Sequence, residues 1–188
     1  MTVMPPTPSL ETERLRLEAA ALRDVPAIQR CFPRWEIVQH LTAKVTWPYP
    51  PDGAESFVRA ALSAMEAGRK SVWGLWLKDG PNELIGLIEL RPPDPVTRDS
   101  RGFWLDPEFQ RLGLMTEAAN RVVDYAFDEL GWPLLWLGNA KSNVASARVK
   151  ERQGAVLIDE VPFAFVSGEE LRQVWLLKAE DWRKRERQ

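Results

Sequence analysis

The sequence predicts a mixed α/β domain: a central, mostly antiparallel sheet with one parallel strand pair and helices on its faces. Three observations point there. Two apolar runs, "SVWGLWL" (71–77) and "ELIGLIEL" (83–90), flank "KDGPN", a hairpin signal that sets neighbouring strands antiparallel. A strand at 100–105, an amphipathic helix at about 114–130 and a strand at 133–139 form a β-α-β unit, and such a crossover joins parallel strands. The one-sided apolar helices before and after these strands need a sheet to cover.

In chain order, residues 1–9 are proline-rich and are expected to be loosely held. "ERLRLEAA" (13–20) alternates charge and apolarity like a half-buried strand. "LRDVPAIQRCF" starts a helix, with Asp24 as its cap and Pro26 in its first turn. "RWEIVQHL" (34–41) is a second short helix, and "TWPYPPDG" (46–53) reads as an extended loop, because each proline disfavours helix before it. Residues 54–67 carry an apolar stripe at Phe57, Ala61, Leu62 and Met65, closed by Gly68. The helix from about 114 to 130 buries Ala118, Val122, Val123, Ala126, Phe127 and Leu130 on one face. A short helix at about 143–152 ends at Gly154, and "AVLIDEV" and "RQVWLLK" are the last strands, around "SGEE". One domain over 10–180 follows, with 181–188 expected as a solvated tail.

Composition narrows the function. With 45% hydrophobic and 28% charged residues, the chain is that of a globular protein. A net charge of -2 supplies no global field for nucleic acid. One cysteine, Cys31, leaves no internal disulfide and fits a reducing compartment. One histidine, His40, rules out sites needing two His ligands and leaves a Ser-His-Asp triad only if His40 is its base, and no metal is expected. No signal peptide or membrane span is legible, so the expectation is a cytoplasmic protein, monomer or homodimer.

The segment that carries chemistry is "QRLGLMT" (110–116). A helix begins there, and its first-turn N–H groups have no intrahelical partners. These donors and the positive dipole end favour an anion. Gly113 lets backbone approach a ligand, Arg111 adds charge and Thr116 a hydroxyl. Taken alone, the loop reads first as a simple strand-to-helix turn, and it has neither a Rossmann nor a P-loop pattern.

The spacing from Gln110 through Gly113, Met115 and Thr116 to Glu117 and Ala118 resembles the coenzyme A pyrophosphate loop of the GNAT superfamily of N-acetyltransferases. "NVASARVKERQGA" (143–155) and "ETERLRLEAAALRDVPAI" are similar to segments of its RimJ/RimL-type branch. The likeness runs from about Leu10 to Lys178. One departure is Met115, where that pattern has Gly or Ala, so its side chain must turn to the core.

The resemblance implies an acetyl-CoA-dependent N-acetyltransferase acting by direct attack of an amine. The amides of Arg111, Leu112, Gly113, Leu114, Met115 and Thr116, with Gln110, would hold the pyrophosphate. The pantetheine arm would pair along Phe103, Trp104 and Leu105, between strands that splay apart, with Asn143 on its amides. A backbone N–H near Leu105 would stabilise the oxyanion and Ser146 would protonate the leaving thiolate. Glu89 interrupts an apolar strand; it either faces solvent or sits in the cleft with a raised pKa as the general base. Glu160 is the fallback base, and removal of the proton by water is a further option. His40, Trp47 and Tyr49 are expected around the acceptor. The branch implies a protein N-terminal amine as acceptor; a small amine or amino acid, or a CoA-binding module without catalysis, stays open.

Overall fold

In a computed structural model, which describes residues 3–185, eight strands form one sheet in the order β1-β2-β3-β4-β5-β6-β8-β7. The strands are β1 (Leu10–Glu11), β2 (Leu15–Ala19), β3 (Ser71–Leu77), β4 (Leu84–Leu90), β5 (Arg101–Leu105), β6 (Leu134–Ala140), β7 (Val156–Phe165) and β8 (Gly168–Lys178). The helices are α1 (Val25–Cys31), α2 (Trp35–Val38), α3 (Gly53–Glu66), α4 (Leu114–Asp124), α5 (Val144–Arg152) and α6 (Ala179–Arg185). A π-turn, Tyr125–Glu129, extends α4.

All neighbouring strands are antiparallel except β5 and β6. The β5–β6 pair is held in register at Arg101↔Leu137 alone, with the Ser100 N–H donating to the Trp136 carbonyl at 2.7 Å just before it. From there toward Leu105 and Ala140 the two strands run on without a ladder. The edge of β5 that faces this slot therefore keeps backbone groups that a continuous sheet would have paired.

Two apolar layers cover the sheet. Ala118, Ala119, Val122, Val123 and Phe127 pack beneath it against Leu15, Leu17, Trp73, Ile88, Leu90 and Leu135. On the other face Ile28, Phe32, Val38, Val58 and Ala61 pack against Val72, Leu84 and Leu87. Alternation along β4 thus sends Ile88 and Leu90 to the α4 side and Leu87 to the α1–α3 side. Glu89 shares the parity of Leu87, which aims it toward α3 and not at the main core.

Three local expectations are corrected. The Asp24 side chain does not cap α1: it turns back to accept the Ala21 N–H at 2.8 Å and is 1% exposed. Residues 181–185 are no solvated tail, because they lie in α6 and Trp182 is 2% exposed, its indole N–H donating to Asp124 at 2.8 Å; residues 186–188 lie outside the described residues. The start of the chain is also tied down. Met4 is 4% exposed, its N–H donates to the Gly68 carbonyl, and Pro8 accepts the Trp73 indole N–H; residues 1–2 lie outside the described residues. No helix among the described residues is long and apolar enough to cross a membrane.

Candidate active site

The loop entering α4 has the backbone of an anion seat. Gly113 is the N-cap of α4 at φ 79° and Arg111 sits at φ 64°, both left-handed. The first bond of the helix runs from the Glu117 N–H to the Gly113 carbonyl, so the preceding N–H groups point out of the helix end. The place a Cβ would occupy on Gly113 meets only Arg14, at 3.5 Å. Met115 is partly buried and packs against the main core.

The loop is strapped from behind. Gln110 donates its amide to the Leu105 carbonyl at 2.9 Å, so this side chain fixes the turn to the end of β5. Arg14 bonds the Leu112 carbonyl at 2.9 Å and pairs with Glu117 at 2.7 Å. Thr12 also donates to Glu117. Burial alone would raise the Glu117 carboxyl, but the Thr12 and Arg14 hydrogen bonds outweigh it and hold it below the usual range. The sequence reading missed Arg14, which lies about a hundred residues away along the chain.

At the slot between β5 and β6, Asn143 and Ser146 come together on α5. The Asn143 carbonyl oxygen accepts the Ser146 N–H at 3.0 Å, which makes Asn143 the cap of α5. Ser146 is 8% exposed. Lys150, one turn later and 2% exposed, donates to Ser146 Oγ at 2.7 Å and to the Ser146 carbonyl at 3.2 Å. Burial, then the Arg101 charge, sets its pKa well below the usual lysine range. Arg101, also buried, bonds Gln153 at 2.9 Å. Burial lowers its pKa to about 10. Neither Arg101 nor Lys150 was a sequence candidate.

Two cavities meet at this slot. A smaller one, about 210 Å³, has His40, Arg101, Asn143, Ser146 and Arg172 in its wall. A larger one, about 640 Å³, is walled by Phe32, Tyr49, Phe57, Lys70 and Trp104. Leu41, Thr42, Glu89, Gly102 and Phe103 line both and form the border.

The acceptor-side candidates divide. Tyr49 lines the large cavity, edge-on to Phe32 at 4.9 Å, and burial raises its hydroxyl to about 12. His40 lines the small cavity; burial lowers its pKa despite Glu170, so the ring is neutral at neutral pH. Its Nδ1 is 3.3 Å from Ser142 Oγ. Trp47 is outside both cavities and lies tilted against Trp35 at the surface, 40% exposed.

The carboxylates correct the expectation of a poised base. Glu89 does reach the cleft, but its pKa is lowered, not raised. Burial pushes it up, and Arg91 at 2.9 Å and Lys70 at 2.8 Å outweigh that push. Glu160 lies outside both cavities, held by Lys141 at 2.9 Å and Gln173 at 3.0 Å, and its pKa is lowered by those bonds. Cys31 is buried and its thiol is raised to about 11, by burial and then by Asp106, so it offers no thiolate. Among the described residues no three His, Cys, Asp or Glu side chains are grouped to hold a metal ion.

Comparison with known proteins places this geometry. Residues 14–156 match the family model described as an acetyltransferase (GNAT) domain. A 96-residue stretch is 35% identical to YdaF of Bacillus subtilis strain 168, provisionally named a ribosomal N-acetyltransferase. That match spans 50% of this chain and 48% of YdaF, about half the relative's length. The ribosomal-protein-S5-alanine acetyltransferase of Vibrio fischeri shares the fold with a TM-score of 0.77 at 18% identity, over 93% of this chain and 98% of that one. RimL, a ribosomal L7/L12 α-N-protein acetyltransferase solved with coenzyme A, gives 0.74 at 17% identity, over 94% and 98%. The family match covers most of the chain, and the sheet with its single parallel pair agrees with it: this protein belongs to the GNAT family of acetyltransferases.

Proposed function

We propose that this protein moves an acetyl group from acetyl-CoA to a primary amine, and that the amine is the N-terminus of a protein. The observation that carries the reading is the junction of the two cavities. The ladder-free slot between β5 and β6 opens, past Phe103, Gly102 and Glu89, into a cleft of about 640 Å³. That cleft is roomy enough for the first residues of an extended peptide, and small ligand pockets start at about half that size. The ribosomal-protein acetyltransferases named among the relatives favour a protein acceptor.

Acetyl-CoA fits the residues present. The open N-terminus of α4, with nothing but Arg14 near the missing Cβ of Gly113, suits a pyrophosphate. The unladdered edge of β5 suits an extended amide arm. The Asn143 side-chain NH2 is free to join it, since the cap uses the carbonyl oxygen. When bound, acetyl-CoA supplies an activated thioester acyl group.

This chain's own residues then do three things. Backbone N–H groups near Leu105 lie beside the slot and stabilise negative charge on the reacting carbonyl oxygen. Ser146, buried and hydrogen-bonded, donates a proton to the leaving group. Glu89 stays ionised and paired with Lys70 and Arg91, so it shapes the junction and does not take the proton of the amine; water in the cleft removes it.

The test is acetyl-CoA consumption over a panel of N-terminal peptides, internal-lysine peptides and small amines. Turnover confined to free peptide N-termini supports the proposal. Turnover confined to small amines reassigns the acceptor, and none on any amine favours a binding module.

A further inference from the structure

We propose that Lys150 is a positioning residue for Ser146, holding its hydroxyl and resupplying its proton during turnover. The inference rests on the proposed acetyl transfer, in which Ser146 is the proton donor.

Lysine is almost never fully buried unless paired. Lys150 is 2% exposed and forms no ion pair with a carboxylate among the described residues. Its ammonium group instead meets Ser146 Oγ at 2.7 Å, the Ser146 carbonyl at 3.2 Å and the Phe103 ring face at 5.7 Å. The remaining surroundings are cationic. Arg101 of β5 faces the same ring at 5.6 Å, and its Nε and Nη1 are buried without hydrogen-bond partners. Arg172 of β8 adds positive charge. Among the described residues, Asp99, in the segment before β5, is the one carboxylate acting on Lys150, and it is shared with Arg91 at 3.4 Å and Arg172 at 3.7 Å.

A buried site with more cations than anions disfavours the charged amine, so Lys150 holds its proton loosely. If packing were its only task, an apolar side chain of similar length would do as well at lower cost. An acid–base group brought toward the working pH is an effective relay, and this one touches the hydroxyl that borders the slot.

The proton count closes. Ser146 gives its hydroxyl hydrogen to the leaving sulfur: the O–H bond breaks and an S–H bond forms. A hydrogen of protonated Lys150 moves to Ser146 Oγ along the 2.7 Å contact, leaving a neutral amine. The proton that cleft water takes from the amine restores Lys150 through water in the small cavity, which Ser146 lines.

The experiment compares wild type with Lys150→Met, Lys150→Arg and Ser146→Ala. The first readout is the melting temperature of the ligand-free protein against pH. An unfolded lysine binds its proton at a higher pH than Lys150 does when folded. Wild-type stability therefore gains on Lys150→Met as pH rises between the two values. The second readout is kcat against pH. Lys150→Met is expected to lose about 10²-fold in kcat, with acetyl-CoA affinity unchanged and the limb set by Lys150 gone. Lys150→Arg is expected to be as slow, because guanidinium does not release its proton. Lys150→Gln, which can still donate to Ser146 Oγ, replaces Lys150→Met if that variant does not fold and is expected to show the same loss. A melting difference flat with pH, a Lys150→Met profile that overlays wild type, or full rescue by arginine overturns the inference. Slow Ser146→Ala beside a wild-type-like Lys150→Met removes Lys150 alone and leaves the serine role standing. A wild-type protein that neither binds nor consumes acetyl-CoA removes both.

Discussion

Glu89 and Lys70 form a 2.8 Å ion pair at the border of the two cavities, and Arg91 closes on the other carboxylate oxygen at 2.9 Å. Glu89→Gln leaves both cations underpaired. It is expected to lower stability at neutral pH by about 1–3 kcal/mol. Because the folded carboxyl has a lowered pKa, that contribution is complete above 4.5 and is lost as pH falls through the folded value. Urea unfolding should show the gap narrowing as pH falls below 4.5; an unchanged gap would mean the pair does not titrate as described. In the proposed reaction Glu89 is not the base, so the kcat/KM–pH profile of Glu89→Gln should keep the wild-type acid limb.

Gly113 holds a left-handed backbone at φ 79°, and a Cβ there would meet only Arg14, at 3.5 Å. Gly113→Val costs about 1–2 kcal/mol in backbone strain and puts a branched side chain at the proposed phosphate seat. Gly113→Asn tolerates the same dihedral with less strain. Both should weaken acetyl-CoA affinity by calorimetry, valine more. Equal affinity in all three proteins would take the pyrophosphate away from this turn.

Ser146→Ala is expected to lower kcat about 10²-fold while the acetyl-CoA dissociation constant stays put. Stopped-flow or steady-state kinetics beside direct binding separates the two. A kcat equal to wild type would leave Ser146 as nothing more than the second residue of a helix cap.

Trp182 anchors α6 against the main core and donates to Asp124 at 2.8 Å. Trp182→Ala should cost about 3–5 kcal/mol, read as a fall in the urea midpoint. A loss within the range of a surface substitution would mean that α6 is not docked in solution.

Which features could be read from residues alone follows from how local their causes are. The β3–β4 hairpin and the buried face of α4 rest on alternation, turn chemistry and a 3.6-residue stripe, so Ser71–Leu77 and Leu84–Leu90 matched within a residue. The two-residue β1 is too short for any period. α6 was hidden because "EDWRKRERQ" is nearly all charge, and the one tryptophan that docks it makes no pattern. The Gly113 turn is legible because it lies within a few consecutive residues, whereas Asn143 and Ser146 come only from the resemblance, for separate roles, and the cap that joins them shows only in the fold. For Glu89 the residues alone leave two options, solvent or a cleft with a raised pKa, and the lowered pKa it has follows from partners that depend on register. Val72 sits opposite Glu89, which brings Lys70 alongside, and Arg91 shares its face. Lys150 and Arg101 were missed for a different reason: a lone lysine or arginine reads as surface, and only the packing of α5 on the slot shows them buried.

The central claim is that the α4 turn and the β5–β6 slot hold acetyl-CoA. A calorimetric titration of acetyl-CoA into the ligand-free protein, paired with a melting curve, tests it most directly. The geometry predicts one site per chain and, at a hundredfold excess over the dissociation constant, about 2.7 kcal/mol of added stability. No heat of binding and an unmoved melting temperature would contradict it.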